Sequence, residues 1–234
     1  MDYSQIIRGF SVWLLPVLIA ITFHEAAHGY IAMRFGDDTA LRAGRVTFNP
    51  LKHIDRFGTI ILPGLLLLSS IMAKMSFPIL FGYAKPVPVN FGRLNHPRRD
   101  MVWVAIAGPG INLVLAFVSA LLFHLLRFLP ESAGLWAFEN LRNSIYINVM
   151  LAVFNMIPLP PLDGGRVAVG LLPDALAYPL ARLEPWGMFI IIGCLFILPL
   201  IGGQLGLDLN IFSWLVGVPV NYIIRLIHSL TGLI

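Results

Sequence analysis

The chain has 234 residues, of which 58% are hydrophobic and only 12% charged, with a mean hydropathy of +0.82. Soluble domains carry about 25% charged residues, so this chain cannot cover a globule of its own size with polar surface, and lipid is its expected solvent. The net charge is +4, but no basic cluster is interleaved with aromatics, which argues against a nucleic-acid partner. The single cysteine, Cys194, excludes an intramolecular disulfide and a thiolate metal site.

Apolar stretches of spanning length fall at about 10–33, 57–81, 101–126, 141–159, 186–203 and 209–230. Arg8 ahead of the first imitates a signal peptide, yet no small-residue cleavage site precedes His24, Glu25 and His28, so the segment is expected to be retained. Polar connectors occupy 34–56 and 82–100. RAGRVTFNP in the first alternates like a short hairpin, and YAKPVPV in the second reads as an extended edge. With no room for an inserted soluble domain, residues 1–234 are expected to form one integral membrane domain. Its core covers about 10–170, and its C-terminal helices about 186–230.

The first apolar stretch contains His24-Glu25-Ala26-Ala27-His28, the pattern H-E-x-x-H. A spacing of four places both imidazoles on one helix face, where each can give a nitrogen to one Zn²⁺, and Glu25 is placed to act as a general base on water. Three ionisable groups within five residues of a spanning helix are costly in lipid, and a metal relieves two of them. A catalytic zinc site normally needs a third protein ligand. His53, His96, His124, His228 and the carboxylates are candidates. Asp163 stands out, because it follows a helix broken by Pro158, Pro160 and Pro161 and precedes Gly164 and Gly165, which permit a tight turn.

HEAAH followed by NMIPLPPLDGG resembles the site-2 protease family of intramembrane zinc metalloproteases. That family's N-x-x-P-x-x-x-x-D-G pattern is matched by Asn155, Pro158, Asp163 and Gly164, and its G-P-x-x-N element by Gly108, Pro109 and Asn112. GYAKPV (82–87) resembles the family's membrane-associated strand. The resemblance covers roughly 10–170 and is to a minimal member without PDZ or CBS domains. It implies a metal set of His24, His28 and Asp163 with one Zn²⁺ per chain. It also implies a three-helix catalytic core of 10–33, 101–126 and 141–159. The fold class is then an all-α polytopic membrane protein with short membrane-associated β segments and two C-terminal transmembrane helices.

The basic residues bear on topology. Six crossings would divide Lys and Arg almost evenly between the two sides. If 57–81 instead enters and leaves on one side, only Arg8, Arg127 and Arg142 face the N-terminal side. The positive-inside rule then places the N-terminus outside and the active site near the cytoplasm. The same path brings the end of 141–159, and so Asp163, to the depth of His24 and His28.

The expected function is zinc-dependent endopeptidase action on peptide bonds in or near transmembrane helices, with single-pass or multi-pass membrane proteins as substrates and the bilayer as surroundings. Glu25 is expected to move the proton, and Asn155 to donate a hydrogen bond to substrate or developing oxyanion. Asn112 is expected to support a ligand or pack, and Asn148 to pack. Segments 43–49 and 83–89 could hold substrate extended by strand addition. The rival reading is a metal or proton transporter using the same polar groups, although no inverted repeat is visible. Oligomeric state is open.

Overall fold

The first apolar stretch forms helix α1, Tyr3–Arg34, in the computed structural model, which describes residues 3–55, 58, 61, 65 and 85–233. A helical turn, α2 (Thr39–Arg42), follows. Helix α3 (Pro97–Leu122) starts with Pro97 in its first turn, where a missing N–H costs nothing, and continues through a 3₁₀ segment to Phe128. Helix α4 spans Glu131–Asn155, with the short helices α5 (Asp163–Leu171) and α6 (Asp174–Ala181) after it. Helix α7, Glu184–Leu205, passes through a π turn at Gly193–Ile197, and α8, Val218–Thr231, leads on from a second π turn at Ser213–Gly217.

Helices α1, α3 and α4 pack against one another as the expected three-helix core. Asn143 of α4 donates to the Val12 carbonyl at 3.0 Å, and Asn112 of α3 to the Ala20 carbonyl at 3.2 Å. His28 meets the Val104 carbonyl at 2.7 Å. These contacts set α1 and α4 parallel, with α3 antiparallel between them. Ala116 and Ala120 of α3 join Ile145 and Val149 of α4 and Val216, Val220 and Ile227 around α8 in one buried apolar cluster. Small residues allow that approach of helix backbones.

The protein is a multi-pass membrane protein. Ser11–Arg34, Pro97–Phe128 and Glu184–Leu205 are each long and apolar enough to cross a bilayer. Helix α4 is less apolar than its sequence position suggested, because it begins at Glu131 and carries Asn140, Asn143 and Asn148. All three are buried, so its polarity points inward. Helix α7 lies at the periphery, with only 11% of its apolar window buried against 39% for α1 and 33% for α3.

The expected β segments are corrected. Among the described residues no strand forms. Residues 43–49 are turns and bends, with Gly44 at φ +63°, and Asn49 then caps a 3₁₀ turn at Pro50–Lys52. Residues 85–90 lie without a ladder. Their donors go elsewhere, Val87 N–H to the Glu25 carboxylate at 2.6 Å and Asn90 N–H to the Asp37 carboxylate at 2.6 Å. Proline at 86 and 88 removes the alternate donors that a ladder needs.

The expected re-entrant segment 57–81 lies outside the described residues apart from Gly58, Ile61 and Leu65. Its flanks nevertheless meet, as Lys85 N–H donates to the His53 carbonyl at 3.0 Å. The end of α1 also lies beside the approach to α3, where Asn95 N–H donates to the Phe35 carbonyl at 2.8 Å. The connection from α1 to α3 therefore starts and finishes at one end of the bundle.

Candidate metal centre

His24 and His28 are one turn apart on α1, and their rings meet edge to face with centroids 4.6 Å apart. The chain reverses beyond α4 to bring a carboxylate to them. Gly164 and Gly165 press their backbones onto the loop, where a Cβ would collide with the Met156 carbonyl and the Pro160 nitrogen. Only glycine permits that approach, and it seats buried Asp163 in the first turn of α5. Arg98 secures the far end of α5, donating to the Gly170 carbonyl at 3.1 Å and to the Asp174 carboxylate at 2.6 Å.

The three ligand atoms form a near-equilateral triangle. His24 Nε2 and His28 Nε2 are 3.0 Å apart, and Asp163 Oδ2 is 3.2 Å from the first and 3.3 Å from the second. Bonds of about 2.1 Å in a tetrahedral zinc site imply ligand separations of about 3.4 Å.

Protonation supports the same reading. His24 Nδ1 lies 2.6 Å from Asn112 Oδ1, and the Asn112 amide is oriented because its Nδ2 donates to the Ala20 carbonyl and to Asn148 Oδ1. His28 Nδ1 faces the Val104 carbonyl at 2.7 Å. Both partners are acceptors, so each ring carries its proton on Nδ1 and turns a bare Nε2 lone pair inward. Asp163 Oδ2 is buried and has no hydrogen-bond donor. Three electron-rich atoms packed this closely repel one another unless a cation lies among them. The donor set therefore fits zinc.

A polar relay supports the centre. Asn148 Nδ2 donates to the Ser144 carbonyl at 2.9 Å, and the Ser144 and Ser119 hydroxyls meet at 2.8 Å. Asn112, expected to support a ligand or pack, orients His24. Asn148 extends that support beyond packing. Gly108 was legible only as part of a motif, and its role is steric, since a Cβ there would lie 2.6 Å from His24 Cε1 and against His28 Nε2.

The other histidines lie apart from the triangle. His53 faces the Thr47 carbonyl at 3.0 Å, His124 faces the Thr231 carbonyl at 2.7 Å, and His96 precedes α3. Asn155 is half-buried at the end of α4, with Nδ2 on the Leu151 carbonyl at 3.0 Å. Glu25 is half-buried, with Oε2 taken by Val87 N–H. That contact has no signature in the sequence, because Val87 lies 62 positions away.

A helical membrane core carrying H-E-x-x-H and a distant aspartate around one cation position defines a membrane metallopeptidase. The chain belongs to peptidase family M50, whose model matches residues 12–142. It is similar to the "Putative zinc metalloprotease YwhC" of Bacillus subtilis (strain 168), with 39% identity over 193 residues, 80% of each chain. A similarly named protein, Rip2 of Mycolicibacterium smegmatis, is 31% identical over 176 residues, covering 75% of this chain and 62% of Rip2. Another, MJ0611 of Methanocaldococcus jannaschii, is 32% identical over 162 residues, covering 68% of this chain and 69% of that one. No solved structure gives a significant match. The protein is a metalloprotease and its cofactor is zinc.

Proposed function

We propose that this protein is an intramembrane endopeptidase that hydrolyses peptide bonds in or near transmembrane segments of other membrane proteins, acting as a single domain over 1–234. One observation carries the reading: His24 and Asp163 are buried and His28 is half-buried within the helical core, and both histidines lie inside Ser11–Arg34, a helix long and apolar enough to cross a bilayer. A peptide bond reaching this centre arrives through lipid.

His24, His28 and Asp163 would hold one zinc ion per chain. Bound there, the ion supplies Lewis acidity toward water and toward the scissile carbonyl. Glu25 takes a proton from the attacking water on its carboxylate and returns it to the leaving amine. Its Oε2 is fixed by Val87 N–H, which leaves Oε1 for that transfer. Asn155 has a second amide hydrogen beyond the one on Leu151, and offers it to substrate or to the oxygen that gains charge. Asn112 and the Val104 carbonyl keep both imidazoles in the ligating tautomer.

A groove of about 430 Å³ lies between α3, α4 and α8, lined by Pro109, Gly110, Ala152, Met156, Pro158 and Ile223 among others. Its apolar walls suit a membrane helix. The bias of basic residues supports an N-terminus outside and a catalytic end near the cytoplasm.

Glu25→Gln tests the function. In proteoliposomes with a single-span reporter it should abolish cleavage while retaining bound zinc. Cleavage equal to the parent protein's would refute the reading.

A further inference from the structure

The segment 85–90 lies against the catalytic face of α1, and the backbone donors of 85–88 account for themselves one by one. Lys85 N–H goes to the His53 carbonyl at 3.0 Å. Val87 N–H goes to Glu25 Oε2 at 2.6 Å. Pro86 and Pro88 have none. Over 85–88, then, every backbone N–H is either absent or spent. A substrate strand needs donors as well as acceptors from its partner, so this stretch is poorly suited to strand addition.

Its anchoring is extensive. The Arg45 guanidinium donates to the Lys85 carbonyl. Val87 is buried, and its side chain fills the space over Gly29, where a Cβ would sit 3.0 Å from Val87 Cγ1 and 3.1 Å from both Ala40 Cβ and Val46 Cγ2. Asn90 N–H is held by Asp37 at 2.6 Å. A backbone group fixed at both flanks and by its own side chain makes a rigid donor.

We propose that the Val87 backbone N–H is a positioning group for the general base, and that 85–90 acts as a brace for Glu25. This rests on the role given to Glu25 above. A glutamate on a helix has three side-chain torsions to settle, and a short charge-assisted hydrogen bond to a fixed N–H removes most of that freedom. With Oε2 held, Oε1 is the oxygen presented for proton transfer. Proline on either side of Val87 keeps the local backbone stiff and prevents neighbouring amides from competing for the carboxylate.

Two measurements on the full-length, zinc-loaded protein test this. The first is kinetic, with a single-span reporter in proteoliposomes. Val87→Pro removes the N–H and should lower kcat by about tenfold or more, the scale of one lost charge-assisted bond, with KM and zinc content near parental values. Val87→Ala keeps the N–H and should recover most of that loss. Equal losses in both variants, or an undiminished kcat in Val87→Pro, would overturn the proposal. The second needs no turnover and covers a Val87→Pro chain that fails to fold. Amide hydrogen exchange at Val87 should quicken about tenfold or more in Glu25→Ala, and unchanged protection would show that Glu25 does not hold this N–H. If the parent protein and Glu25→Gln cleave alike, the peptidase reading fails, whereas the exchange result still decides whether the brace exists.

Discussion

Asn112 holds His24 from behind: its Oδ1 lies 2.6 Å from His24 Nδ1, and this turns the opposite nitrogen toward Asp163, 3.2 Å away. A side chain on α3 thereby sets the tautomer of a ligand on α1. Asn112 itself is anchored by Ala20 and Asn148 and is completely buried. Asn112→Ala should therefore weaken zinc binding by about 10–100-fold, the usual cost of losing such a partner. Competition with a calibrated chelator measures it. An unchanged affinity would mean that the His24 ring is oriented by packing alone.

Gly108 should tolerate no side chain. Alanine is favoured over glycine within a helix by about 1 kcal/mol, so on propensity alone Gly108→Ala would strengthen α3. The added methyl would nevertheless lie 2.7 Å from His24 Nε2 and collide with His28 Nε2. Both rings are tied through Nδ1 and cannot easily withdraw. Helicity by circular dichroism should be preserved while zinc content falls close to zero.

Removing zinc should loosen the core. Without a cation, three electron-rich atoms 3.0 to 3.3 Å apart repel one another. A ligand at about 100 times its Kd contributes roughly 2.7 kcal/mol to stability, so chelation should lower the unfolding temperature in detergent. In Asp163→Asn the gap between zinc-loaded and chelated protein should shrink, because the only anionic member of the triangle is gone. A gap of parental size would contradict that account.

Asp37 gives an acid-sensitive clamp beyond the end of α1. Burial raises its carboxyl pKa, but bonds from Thr39 and from Asn90 N–H, with Arg93 nearby, outweigh burial and hold it below the ordinary 3.8. A group whose folded value is depressed adds stability that is complete above the unfolded value. That stability disappears as pH falls through the folded one. Asp37→Asn should thus be less stable than the parent at neutral pH, with the difference closing below about pH 3.8. Denaturation midpoints across that range would show it, and a difference independent of pH would mean the loss is one of shape.

Much of the centre was legible before folding. The spacing of four between His24 and His28 places two candidate ligands on one helix face whatever surrounds them. Asp163 stood out among the carboxylates through the prolines before it and the glycines after it, and the family resemblance made it the third member of the expected metal set; the press of Gly164 against the Met156 carbonyl appears only in the fold. The strand reading of 83–89 failed over its described part, 85–89, for a reason that was also in view, because proline at alternate positions suits an extended chain while removing the donors of a ladder. The supporting contacts were hidden. Asn148 looks like an ordinary polar residue until Asn112 is seen beside it, and nothing marks Val87 as a partner for Glu25.

By itself the sequence determined the solvent, the candidate metal-ligand chemistry and the long apolar helices, because hydropathy, donor type and helical period are properties of neighbouring residues. Tertiary structure alone decided which nitrogen each ring turns inward and which partners hold the rings in place. Those depend on parallel packing of α1 and α4 around α3, which sets groups as far apart as His24 and Asn112, 88 positions from one another, at hydrogen-bond distance. Distance along the chain carries no information about distance across a bundle until the helices have chosen their neighbours.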